Sequence, residues 1–310
     1  MTQETPKTRQ VETTGHSWDG IEELNNPLPR WWLWTFYATI LWGVIYTILF
    51  PAWPLAERAT AGLLGWSQRA EVAAEIAAVA DSQADLRQAL VETELAALPE
   101  DPALHRFAVQ AGGALFRNNC SQCHGAGAAG AEGYPNLLDD DWLWGGSREE
   151  IAYSIRHGIR SEEDPQSRFS QMPGFGGILE ASEIALLVDH VQALPGGADP
   201  LAGPGGALYA ENCAACHGMA AEGNREIGAP NLSDAIWLYG SDDAALTRLI
   251  SEGPYGVMPP WGARLGEDGV RALAAYVHQL GGGEEEAAQE IGPAGAAGSE
   301  APAPEEGNGG

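Results

Sequence analysis

The chain's four cysteines fall as two close pairs, Cys120/Cys123 and Cys213/Cys216, and a histidine directly follows the second thiol of each pair. In Cys120-Ser-Gln-Cys123-His124 the thiols lie one helical turn apart, so both can form thioether bonds to one porphyrin while His124 turns its imidazole toward the iron. Cys213-Ala-Ala-Cys216-His217 repeats the arrangement in full. A disulfide framework scatters its cysteines instead. A zinc site needs four tetrahedral ligands, and a thioredoxin-like redox pair needs a βαβ setting that the sequence does not show. The residue types and spacing therefore point to two covalently bound haem c groups, with His124 and His217 as proximal ligands.

The sixth position on each iron decides between carrying electrons and binding small molecules, because an open site admits oxygen, peroxide or carbon monoxide. Only four methionines exist, and Met172 and Met258 stand at matching positions, each followed by proline in a glycine-rich stretch. Methionine–histidine ligation raises the potential and suits transfer. Met172 and Met258 are thus the candidate distal ligands. His157, in Arg156-His157-Gly158, is a rival for the first haem. Met219 has no counterpart and reads as a loop residue, and His105, His190 and His278 have no motif around them.

These residues sit in an internal repeat. Ala114-Leu-Phe-Arg-Asn-Asn-Cys120 recurs as Ala207-Leu-Tyr-Ala-Glu-Asn-Cys213, followed by Pro-Asn-Leu at Pro135 and Pro230, and by Trp142-Leu-Trp-Gly matched to Trp237-Leu-Tyr-Gly. Between the tryptophan and methionine landmarks the first copy is nine residues longer. The excess falls within Ile159 to Ser170, whose Ser, Glu, Asp and Pro content reads as a loop. Gly113 with Phe116, and Gly206 with Tyr209, are placed to let an N-terminal helix approach a C-terminal one closely. Trp142, Trp144, Trp237 and Tyr239 read as core or haem-edge residues, and Arg156 and Arg248 as solvent-facing or as partners of haem propionates.

Upstream, residues 31–50 carry no charge and, as a helix, match a bilayer core of about 30 Å. Aromatic residues gather at both ends of this run, and Pro51 and Pro54 stop it. The long polar lead of residues 1–30 is unlike a cleaved signal peptide. Trp66 to Leu98 shows apolar residues at helical spacing and reads as one or two amphipathic helices that link the span to the first haem domain and pack either on that domain or on the membrane subunit of a partner. The expected organisation is an N-terminal segment (1–30), a transmembrane helix (31–50), a helical linker (51–103), a first haem domain (104–196), a glycine-rich linker (197–203) and a second haem domain (204–281). A disordered acidic tail (282–310) completes it. The fold class is all-α.

Acidic residues outnumber basic ones 43 to 16, giving a net charge of −27, and Lys7 is the only lysine. Nucleic acid is excluded as a partner on this balance. The charge suits attraction of a basic protein, and a solvated exterior explains it equally.

The stretch His16-Ser-Trp-Asp-Gly-Ile-Glu-Glu-Leu-Asn-Asn-Pro-Leu-Pro-Arg-Trp-Trp, leading into an apolar span and two haem repeats, resembles the dihaem cytochrome subunit of cbb3-type cytochrome c oxidases. The resemblance runs from about His16 to Leu280 and implies two tandem class I cytochrome c-like domains. It assigns haem attachment to Cys120, Cys123, Cys213 and Cys216, proximal ligation to His124 and His217, and distal ligation to Met172 and Met258. It further implies an electron relay from a cytochrome c donor to another haem-bearing subunit, with oxygen reduced elsewhere. The partners would be the catalytic and monohaem cytochrome subunits, and the haem domains would lie in the periplasm, outside the bacterial inner membrane. Two other readings stand beside it: a dihaem donor to a different redox complex, and a dihaem peroxidase, which needs an accessible iron.

Overall fold

A computed structural model of the chain describes residues 12–285. The expectations for the first eleven residues and for most of the acidic tail lie outside that range. The chain divides into two compact units, one reaching Ser82 and the other beginning at Gln83.

The first unit opens with a two-stranded antiparallel hairpin, β1 (Thr13–Trp18) and β2 (Ile21–Leu24). It is an addition to the all-α expectation. Asp19 and Gly20 turn it with φ of 49° and 84°, the left-handed pair that a two-residue hairpin loop requires. Helix α1 (Arg30–Leu49) follows and ends at Phe50, next to Pro51. It has twenty residues, none buried, and is long and apolar enough to cross a membrane. Helix α2 (Gln68–Ser82) closes the unit, its apolar residues Val72, Ile76 and Val79 all exposed.

The second unit holds α3 (Ala84–Glu92), α4 (Pro102–Asn119), α5 (Ser121–His124), α6 (Arg148–His157), α7 (Ala181–Ala193), α8 (Gly203–Asn212), α9 (Ala214–His217), α10 (Asp243–Glu252) and α11 (Gly262–His278). Local chemistry sets their ends. Asp101 caps α4 by accepting from the Ala103 and Leu104 amides, and Ser147 and Glu150 form a capping box on α6. Gly158 and Gly253 end α6 and α10 with φ of 72° and 77°.

The packing crosses between the repeats. Helix α4 of the first copy packs on α11 of the second, and α6 does the same, whereas α8 and α10 of the second copy pack on α7 of the first. Two hydrophobic clusters result. One joins Phe116, Ile151 and Ile155 to Val270 and Leu273; the other joins Phe175, Leu187 and Val191 to Tyr209, Leu246 and Ile250. The sequential boundaries 104–196 and 204–281 therefore do not describe how the helices pack, since each cluster draws on both repeats. The chain changes sides at the methionine loops. There Ile159 and Met258 exchange backbone hydrogen bonds of 2.9 and 3.0 Å, while Phe175 N donates to Ile250 O at 2.8 Å.

Leu90 on α3, with Leu95 and Leu98 in the turns just beyond it, is buried in the first cluster, where α3 packs on both α4 and α11, one of the two packings left open for this stretch. The close helix approach rests on Gly112 and Gly205, one position before the glycines singled out from the sequence. A Cβ at Gly112 would overlap the Ala272 carbonyl of α11, and one at Gly205 would lie 2.6 Å from His190 Cβ on α7. Gly113 faces the Tyr276 ring, and Gly206 abuts Leu201 next to its own helix.

Candidate haem-binding sites

Each Cys-x-x-Cys-His segment begins at the C-terminus of a long helix and winds one further short helix. Cys120 ends α4 and its carbonyl accepts from the Cys123 and His124 amides at 3.1 and 3.0 Å; Cys213, Cys216 and His217 repeat these bonds at the same lengths. Both thiols of each pair consequently face one side of the turn. Gly125 and Gly218 then reverse the chain with φ of 81° and 84°, and the amides of Gly130 and Gly223 return to His124 and His217 O at 2.8 Å.

The histidines are oriented by the Pro-Asn-Leu landmarks. His124 Nδ1 lies 3.1 Å from Pro135 O, and His217 Nδ1 lies 3.0 Å from Pro230 O. A carbonyl only accepts, so Nδ1 donates and the Nε2 lone pair is left for a metal. Burial pushes both imidazoles below their ordinary pKa, outweighing the opposing carbonyl bond, which keeps them neutral and able to ligate. Burial also pushes the Cys120 and Cys213 thiols up to about 11, with repulsion from Cys123 and Cys216 adding to it. Near neutral pH these are uncharged thiols, unlike the activated thiolate of a redox cysteine. A neutral imidazole with a free Nε2, two thiols one turn apart and an apolar lining form a donor set that fits a covalently attached haem.

The structure brings the candidate distal ligands together with the opposite repeats. Met258 and Cys120 pack on the first cluster, together with Leu137 and Trp142. Met172 and Cys213 pack on the second, together with Leu232 and Trp237. Each methionine is thus grouped with the Cys-His segment of the other copy, which linear order could not indicate. His157, the rival ligand, has Nδ1 2.9 Å from Asp164 Oδ2 and its ring 4.6 Å from Tyr153, so it is tied into the insertion loop. Met219 is exposed. Arg156 makes a paired contact with Glu267 at 2.6 and 3.0 Å, and exposed Arg248 meets Glu132 at 3.3 Å. Both arginines considered for the propionates are engaged by carboxylates.

The carbonyls of Pro135 and Pro230, which orient the imidazoles, are signalled in the sequence only by the recurring Pro-Asn-Leu.

A family model described as the N-terminal domain of cytochrome oxidase-cbb3, FixP, matches residues 10–57. A second, described as cytochrome C oxidase, cbb3-type, subunit III, matches residues 107–191 and 200–277. The cbb3-type cytochrome c oxidase subunit CcoP of Cereibacter sphaeroides is 55% identical over 276 residues, covering 88% of this chain and 95% of the relative. CcoP of Rhodobacter capsulatus is 52% identical over 89% of this chain and 97% of its own length. FixP of Sinorhizobium medicae is 49% identical over 88% and 96%. With two haem-attachment segments, a span ahead of them and relatives matched over nearly their full length, the chain belongs to the subunit III family of cbb3-type cytochrome c oxidases.

Proposed function

We propose that the haem held by Cys120 and Cys123 is ligated by His124 and Met258, and that held by Cys213 and Cys216 by His217 and Met172. The observation that carries this is the grouping of each methionine with the opposite repeat's cysteine in one apolar cluster. As a member of its family the chain is a membrane-anchored electron-transfer subunit of a cbb3-type oxidase bearing two covalent haem c groups. When bound, haem supplies one-electron exchange at iron. The chain's own part is to hold and seclude it: Pro135 and Pro230 fix the imidazoles, the thiols anchor the macrocycle, and the clusters keep water from the iron.

We further infer that α1 spans the inner membrane with the hairpin in the cytoplasm and the second unit in the periplasm, where this kind of haem attachment takes place. Its partners there are the catalytic and monohaem subunits of the oxidase and a cytochrome c donor. The net charge of −27 favours a basic face on that donor. Intact mass of the purified chain, combined with protease treatment of intact spheroplasts, tests the reading. Two haem adducts and cleavage of the second unit from outside are expected; bare thiols, or full protection until lysis, would refute it.

A further inference from the structure

The nine-residue excess of the first copy contributes no helix and no haem-attachment residue, yet it carries two half-buried arginines. Arg168 Nη1 donates to Trp144 O at 2.7 Å and Nη2 to Glu150 O at 3.4 Å, with the guanidinium 4.9 Å from the Tyr153 ring centroid and 5.4 Å from that of Trp144. Its Nε is buried and has no hydrogen-bond partner among the described residues. Arg160 Nε donates to Gly256 O at 2.6 Å and Nη1 to Ser170 O at 3.3 Å, beside the Tyr255 ring.

Every hydrogen-bond partner described for the two guanidiniums is a neutral carbonyl. Arg156 and Arg248, by contrast, each hold a carboxylate. Glu150 lends Arg168 some attraction, but its Oε2 accepts from Ser147 N and Oγ within the α6 cap. Burial pulls both guanidiniums below their ordinary pKa, the signature of cations short of compensating charge. A buried cation of this kind calls for an anion.

Position indicates which anion. Trp144 and Tyr239 are equivalent in the two repeats, and each reaches across to the opposite copy: Trp144 covers Gly228, and the Tyr239 ring would lie 3.3 Å from a Cβ on Gly133. Arg168 stacks on Trp144, in the loop between His124 and α6. Arg160 donates to the carbonyl of Gly256, where a Cβ would lie 3.1 Å from the Tyr239 hydroxyl, in the corresponding loop after His217. Each haem-side loop is thus approached by one arginine of the insertion. The second copy's own Arg225, in the loop after His217, is held by Glu284 at 2.6 Å, and its Pro254-Tyr255-Gly256-Val257 holds no charge. The ligand already implied at both loops brings carboxylates with it.

We propose that Arg168 and Arg160 are the counter-charges of the haem propionates, Arg168 for the haem at Cys120/Cys123 and Arg160 for the haem at Cys213/Cys216. The insertion is then a clip from one copy that neutralises both cofactors. This rests on the two-haem reading given above.

The test is an optical redox titration of the detergent-solubilised full chain carrying Arg168→Gln or Arg160→Gln. A neighbouring cation favours the reduced haem, so its loss lowers the potential. Each variant is expected to move a different one of the two waves by about tenfold in the reduced-to-oxidised ratio, or about 59 mV for one electron. Arg→Lys variants, which keep the charge, should shift less than half as far. Waves within twofold of wild type in the Gln variants, or Lys variants as displaced as Gln, would overturn the proposal. Should the Gln variants fail to accumulate, redox-difference infrared spectra of wild-type protein grown on nitrogen-15 arginine serve instead: a label-sensitive guanidinium band supports the proposal and its absence refutes it. Haem stoichiometry by mass, measured on the same samples, separates this outcome from failure of the two-haem reading.

Discussion

Replacing Gly112 with alanine inserts one methyl group where two helices from different repeats touch backbone to backbone. A Cβ there would overlap the Ala272 carbonyl and come 2.7 Å from Tyr276 Cβ. Overpacking of this kind costs about 1–3 kcal/mol, and main-chain oxygen cannot swing aside as a side-chain tip does, so the upper part of that range applies. Alanine in a helix interior returns about 1 kcal/mol relative to glycine. The net loss is about 1–2 kcal/mol, which for a unit of this size lowers the melting temperature by roughly 2–8 °C. Gly113→Ala is the internal control, because its nearest neighbour is the rim of Tyr276 at 3.0 Å, which can rotate away. Thermal melts followed by the Soret band and by circular dichroism read the effect. A Gly112→Ala protein that melts at or above wild type would refute the claim that α4 and α11 cross there.

The other perturbations address the core and the charge at the seam between repeats. Leu95 is fully buried, so Leu95→Ala should cost about 2–5 kcal/mol in chemical denaturation; a loss below about 0.5 kcal/mol, as on a free linker, would contradict its place in the first cluster. Burial pushes Asp141 up to about 6, with Asp234 and Asp139 adding repulsion against the pull of Arg225. Its folded pKa exceeds the unfolded one, so stability is full below about 4 and falls as pH rises through about 6. Asp141→Asn should therefore raise the melting temperature at pH 8 and leave it nearly unchanged at pH 4. An equal gain at both would show that the carboxyl's charge is not the cause.

Much of the chemistry was legible in sequence because it is local. Two thiols and an imidazole within five residues define their own geometry on a helical turn, and a twenty-residue uncharged run defines its own length. The hairpin was missed although Asp19-Gly20 carries its turn, since the surrounding residues lack clean alternation. What sequence could not convey is long-range pairing. Repeat order suggests that His124 and Met172 belong to one domain, and no local preference distinguishes that closure from the exchanged one, because the two copies present the same helices and the same methionine loop. The choice is made by contacts such as Ile159 with Met258, whose partners lie about a hundred residues apart. The same holds for Leu90, whose helical spacing announced α3 while leaving open whether this chain or a partner would bury it.

The exchange of distal ligands is tested most directly in a chain carrying Cys213→Ala and Cys216→Ala, which leaves one covalent haem at Cys120 and Cys123. In that background Met258→Ala should abolish the methionine-to-iron absorption band and open the reduced haem to carbon monoxide, while Met172→Ala should leave both unchanged. The reverse result, with Met172→Ala disturbing the spectrum and Met258→Ala silent, would contradict the account.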